Sequence, residues 1–186
     1  MTTPELRTFT DLDAARNDLI EVYADVRAPL LHLPNYTVTT FGERVDRHAS
    51  EPGFAVVLAY ADGVPVGYAY ANSIADGDRY WQRTTPAPER LYTARPALAL
   101  KEIGVRASWR GTGTARKIHD ELLHGRPETY ATLMVNKIAG EGKVHAVYRG
   151  WGYEDIGTSQ PSPASPLLTV MVRPLNQVAT RLPVEQ

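Results

Sequence analysis

The sequence predicts a mixed α/β (α+β) fold forming one domain over residues 1–186, with about seven strands in a mostly antiparallel twisted sheet flanked by about four helices. Three observations carry this. Apolar residues recur every three or four positions in several separate stretches, as amphipathic helices require. "GFAVVLAYADGVPVGYAYANS" sets two β-rich runs around Asp62-Gly63, a hairpin signature. "LALKEIGVRASWRGTGTA" runs from an apolar strand into a glycine-punctuated turn, followed by a helical pattern and another strand.

Taken in order, Leu6 to Phe9 reads as a short strand. Asp11 is then the expected N-cap of a helix carrying Leu12, Ala15, Leu19, Val22 and Val26 on one face. Pro29 and Pro34 end that helix or break it, and a second helix is expected from Thr40 to about Ser50, before Pro52-Gly53. After the hairpin, residues 74–96 read as a polar, proline-bearing connection. A strand around residues 98–105 follows, then a helix over about 112–124 with Ala115, Ile118 and Leu122 on one face. "ETYATLMV" reads as a strand, "GKVHAVYRGWGY" as a short helix, and "YEDIG" and "LLTVMVRPL" as closing strands. Only the strand before the glycine turn can run parallel to its successor, because a helical crossover joins them.

Composition narrows the function. With 20 basic and 21 acidic side chains the charge is balanced, which argues against a nucleic-acid partner. No cysteine is present, so disulfides, thiolate metal sites and a cysteine nucleophile are excluded. The N-terminus lacks the apolar core of a signal peptide, and no apolar run approaches membrane-spanning length. The expectation is a cytoplasmic protein with no membrane partner. The five histidines (32, 48, 119, 124 and 145) show no metal-ligand spacing, so no metal is expected, and His145 is expected at the surface.

The turn Arg110-Gly111-Thr112-Gly113-Thr114-Ala115 has the chemistry of an anion site. A helix N-terminus presents unpaired N–H groups, and the dipole favours an anion by about 0.3–2 kcal/mol. Gly111 and Gly113 leave those amides open, Thr112 and Thr114 can add hydroxyl donors, and Arg110 adds a charge. The triphosphate loop G-x-x-x-x-G-K-[ST] is absent, and the dinucleotide pattern G-x-G-x-x-G fails where Arg116 replaces its third glycine.

A third pattern fits. Arg110 to Ala115 satisfies [RQ]-x-x-G-x-[GA], with the aliphatic Val105 five positions ahead of the Arg. Downstream, Tyr148-Arg149-Gly150-Trp151-Gly152-Tyr153 supplies Tyr-x-x-x-Gly-[FY]. On these two motifs and the element order, the chain resembles the GNAT superfamily of acetyl-CoA-dependent N-acetyltransferases over nearly its whole length. The resemblance implies the GNAT fold and acetyl-CoA as co-substrate. It also implies pyrophosphate binding by the turn and a pantetheine arm lying along Glu102, Ile103, Gly104 and Val105. Many members carry an Asn seven residues before the Tyr; here Glu141 takes that place.

Acetyl transfer needs a neutral amine and a proton for the departing thiolate. Glu102, eight residues before Arg110, is the candidate general base; its competing reading is an ordinary strand residue paired with Lys101 or Arg106. Tyr148 is the candidate acid by its motif, the alternative being a packing tyrosine beside Val144 and Trp151. Without a cysteine, direct transfer in a ternary complex is favoured over an acetyl-enzyme. Tyr80 and Trp81, with Asp76 and Asp78 nearby, are candidates for an amine-receiving wall that Tyr36 can join. The expected partners are acetyl-CoA and an amine acceptor, and an exposed aromatic loop at 74–96 can be shared across a homodimer. The competing class is a non-catalytic acyl-CoA-binding module.

Overall fold

The computed structural model describes residues 3–175, which contain eight strands and six α-helices and resolve into two compact units. Within these, one comprises residues 3–74 together with Leu98–Gly125; the other comprises Ala75–Ala97 and residues 126–175.

In the first unit the strands are β1 (Glu5–Phe9), β2 (Ala55–Ala61), β3 (Val64–Ile74) and β5 (Ala97–Val105), ordered β1-β2-β3-β5. β1 with β2 and β2 with β3 are antiparallel, and the hairpin turns at Asp62 (φ 51°) and Gly63 (φ 78°), as the sequence implied. α1 (Arg16–Val26) and α2 (Val38–Ala49) cover one face. There Tyr23 stacks on Phe41 at 3.6 Å between ring centroids, with Tyr68 and Tyr70 edge-on to Phe41. Strand alternation divides β3 cleanly. Tyr68 and Tyr70 point toward α1 and α2, while Gly67 points toward α5 (Thr114–Leu123), where a Cβ would lie 2.7 Å from Ile118 Cδ1.

Two boundaries differ from expectation. α1 begins at Arg16 with Ala15 as N-cap; Asp11 instead caps the preceding turn by accepting from the Asp13 amide at 3.0 Å. Leu12 and Ala15 are buried all the same. α2 begins two residues before Thr40 because Thr37 is its cap, its hydroxyl accepting from the Thr40 amide at 3.1 Å. Pro29 and Pro34 sit in two single 3-10 turns between these helices.

The second unit orders its strands β6-β8-β7-β4, all antiparallel: β4 (Thr84–Thr85), β6 (Tyr130–Val135), β7 (Glu154–Ser159) and β8 (Leu168–Pro174). Its helices are α3 (Arg79–Gln82), α4 (Arg90–Thr93) and α6 (Lys143–Gly150). The connection expected at 74–96 therefore contains one two-residue strand and two single-turn helices, too short to leave a periodic signal. No helix among the described residues is long and apolar enough to cross a membrane.

Candidate active site

β5 leads into a single 3-10 turn (Ala107–Trp109), an extended Arg110, and then the glycines. Gly111 (φ 73°) and Gly113 (φ 82°) both adopt the left-handed conformation that disfavours a side chain. Gly113 is the N-cap of α5, its carbonyl accepting from the Lys117 amide at 3.1 Å to close the first helical turn. A Cβ built on either glycine would meet nothing within 4 Å, so open space lies before this backbone. That is the room a phosphate needs beside helix-terminal amides.

The threonines serve the turn itself. Thr112 Oγ1 donates to the Trp109 carbonyl at 2.7 Å, and the Thr114 hydroxyl, on a buried residue, pairs with Thr112 Oγ1 at 2.8 Å. The turn therefore turns outward its backbone and the exposed Arg110. Ala115 stands one residue into α5.

Along β5 the side chains alternate. A Cβ on Gly104 would lie 2.7 Å from Val26 Cγ1 and 3.1 Å from Tyr68 Cε1, so α1 approaches the strand there at a distance only glycine permits. Val105 lies on the opposite face, beside Gly67, and Ile103 shares its parity. Glu102 shares the Gly104 face, beneath α1 and α2. Its Oε1 accepts from Arg27 Nε and from the Tyr68 hydroxyl, both at 3.1 Å, and its Oε2 from Arg44 Nη2 at 3.3 Å. The Glu102 side chain is 10% exposed, while those of Arg27 and Arg44 keep 28% and 27%. Its partners are thus Arg27, Arg44 and Tyr68 rather than Lys101 or Arg106; Arg106 pairs with Glu21 and Asp25.

Several further groups complete this face. Arg44 Nη1 also donates to the Asn35 carbonyl at 3.1 Å, and the Tyr23 hydroxyl to the Tyr36 carbonyl at 2.9 Å, tying down the segment between α1 and α2. Burial, reinforced by the Glu102 charge, holds the Tyr68 phenol well above its ordinary value, so it is a neutral donor. Tyr70 is raised likewise, and its hydroxyl meets His48 Nδ1 at 3.1 Å. Burial first, then the charges of Lys101, Arg47 and Arg44, push His48 down to about 3, leaving it neutral. No spacing in the sequence pointed to Arg27, Arg44, Tyr68 or His48, because each meets its partner only through tertiary packing.

The remaining candidates lie in the second unit. Tyr148, on α6, contacts Trp151 and Tyr153 edge-on at 5.5 and 5.9 Å. Trp81 is 4% exposed and edge-on to Tyr80, whose hydroxyl meets Thr132 Oγ1 at 3.0 Å. Trp81 is buried within that unit and Tyr80 is half-buried, so the two anchor the connection and do not form the expected exposed aromatic loop. Asp78 caps α3, and Asp76 pairs with Arg90. His145 is buried, contrary to its expected surface position, with Nε2 at 2.8 Å from Asp155 Oδ1. Glu141 occupies the left-handed region (φ 59°) between Gly140 and Gly142. Among the described residues no group of three or more His, Asp or Glu stands together as a metal site would need.

No family model matches the chain, and no curated protein matches it in sequence. Solved structures do match in fold. A putative GNAT-family acetyltransferase from Desulfovibrio desulfuricans is 17% identical, with TM-score 0.64 over 93% of this chain and 99% of its own. The ribosomal-protein-S18-alanine N-acetyltransferase of Escherichia coli is 12% identical, with TM-score 0.63 over 96% and 99%. A PaiA N-acetyltransferase from Thermoplasma acidophilum, determined with coenzyme A, is 11% identical, with TM-score 0.56 over 91% and 99%. The mixed, mostly antiparallel architecture read from the sequence is therefore found, and the chain has the fold of the GNAT acetyltransferases.

Proposed function

We propose that the chain is an acetyl-CoA-dependent N-acetyltransferase that moves acetyl directly to a primary amine. The observation that carries this reading is the open left-handed turn at Gly111 and Gly113, heading α5 after a strand with a fixed carboxylate. Arg110 and the amides from Gly111 to Ala115 suit the pyrophosphate of coenzyme A, with Thr112 and Thr114 holding the turn in shape. The extended backbone of Ile103, Gly104 and Val105 suits the pantetheine arm. The acetyltransferase fold, found in one similar structure with coenzyme A, supports the same donor.

Glu102 is the proposed base. An amine with a lysine-like pKa near 10.4 costs about 4–5 kcal/mol to neutralise at pH 7, so accepting its proton is the main task. A carboxylate has about four acceptor positions, and the bonds from Arg27, Tyr68 and Arg44 leave room for the ammonium or a bridging water. The neutral nitrogen adds to the thioester carbonyl carbon; the C–S bond then breaks, sulfur leaves as a thiolate, and the surplus proton on nitrogen passes to solvent to leave the amide. Tyr148, assigned by its motif, is the proposed donor of a proton to that sulfur. Tyr36, on the anchored segment between α1 and α2, is the proposed acceptor-side aromatic.

A thiol-release assay with acetyl-CoA over amino acids, small amines, polyamines and N-terminal peptides tests this. Turnover on any acceptor supports it. Saturable acetyl-CoA binding with no turnover on the whole panel favours the non-catalytic acyl-CoA-binding module, the reading to which Glu141 in place of the usual Asn lends weight.

A further inference from the structure

The charges around Glu102 do not cancel. One carboxylate faces two guanidinium groups, and the phenols and imidazole beside them stay neutral. The carboxylates nearest in sequence on the same helices are engaged elsewhere: Glu21 and Asp25 with Arg106, and Asp46 with Arg16. Glu43, also on α2, is exposed. The cluster therefore carries one net positive charge, and Lys101 and Arg47 add to the field that suppresses protonation of His48.

Exposure differs within the cluster. Glu102 is nearly covered, whereas each arginine keeps over a quarter of its side chain open. The more open side chains of the cluster are thus its two cationic ones. A guanidinium has five N–H donors, more than the protein partners named here use on Arg27 or Arg44. A bare amine or polyamine would bring positive charge to a net positive site. An acceptor with a carboxylate one carbon from its amine would instead place anion on guanidinium and ammonium on Glu102.

We propose that the acceptor is a free amino acid, its carboxylate held by Arg27 and Arg44 and its amine directed to Glu102. This rests on the N-acetyltransferase reading, but binding tests it separately from turnover. Calorimetric titration of the full-length protein, with coenzyme A present, would compare each common amino acid with its carboxamide and its decarboxylated amine. At least one amino acid should bind about tenfold or more tighter than both analogues, as loss of a charge-assisted contact implies. Arg44→Lys, which keeps the charge but loses the planar fork, should reduce that preference several-fold. Equal or tighter binding of the amides or amines, or no binding of any amino acid at millimolar concentration, would overturn the proposal. Discriminating binding without thiol release would keep the amino-acid site but reject the transferase reading, and with it the role of that amino acid as acceptor.

Discussion

Arg44 on α2 reaches Glu102 on β5 over 3.3 Å, joining a helix and a strand 58 residues apart through one charge-assisted hydrogen bond. The same guanidinium holds the Asn35 carbonyl, so strand, helix and the segment before the helix share one side chain. Losing Glu102 leaves two guanidinium groups facing each other without their shared carboxylate, and losing Arg44 leaves Glu102 Oε2 without its donor. Glu102→Gln and Arg44→Gln should each lower stability by about 1–3 kcal/mol in urea unfolding. Together they should cost less than the sum, because each removes the interaction that the other loses. Strict additivity would mean that the pair is not coupled.

His48 gives the protein a specific acid sensitivity. The unfolded chain takes up a proton near pH 6.5 that the folded His48 refuses until about pH 3. Its contribution is complete above pH 6.5 and declines as pH falls toward 3. Because the ring is partly exposed, the loss is on the order of 1–2 kcal/mol. Urea midpoints from pH 7 to pH 4 should fall less steeply in His48→Gln than in the parent, and parallel slopes would refute the assignment.

Glu141 carries a conformational cost at φ 59°. Its ion pair with Lys143 is highly exposed on both sides and offers little return. Glu141→Gly should therefore stabilise the protein by about 0.5–1 kcal/mol in thermal or urea unfolding, relieving the left-handed strain at some cost in unfolded-chain entropy.

Tyr148→Phe separates chemistry from binding. If the phenol protonates the departing thiolate, turnover should fall by about 10²-fold or more while acetyl-CoA affinity stays within about twofold. An unchanged turnover would remove Tyr148 from the reaction.

The parts legible in the sequence were those encoded locally. Asp62-Gly63 announces its hairpin because both residues tolerate positive φ, and Gly111 and Gly113 announce their turn for the same reason. Leu19, Val22 and Val26, and later Ile118 and Leu122, declare buried helix faces by spacing alone. What remained hidden depends on packing. The Arg27–Glu102 bond spans 75 residues and leaves no periodic trace. Trp81 could be placed in a polar connection but not indoors, since composition says nothing of the Thr132 hydroxyl awaiting its neighbour Tyr80. Asp11 looked like a helix cap because an Asp-capped turn and an Asp-capped helix begin with the same bond.

The most direct test compares acetyl-CoA binding by the parent, Gly113→Arg and Gly63→Arg in calorimetric titration. Both glycines have positive φ (82° and 78°) and open space before them, so the two changes carry similar backbone strain, about 1–2 kcal/mol. Only Gly113 heads α5. Affinity should fall by about 100-fold or more in Gly113→Arg, by closing the approach to the helix-terminal amides, and remain near that of the parent in Gly63→Arg. Equal affinity in all three folded proteins would contradict the placement of coenzyme A at this turn.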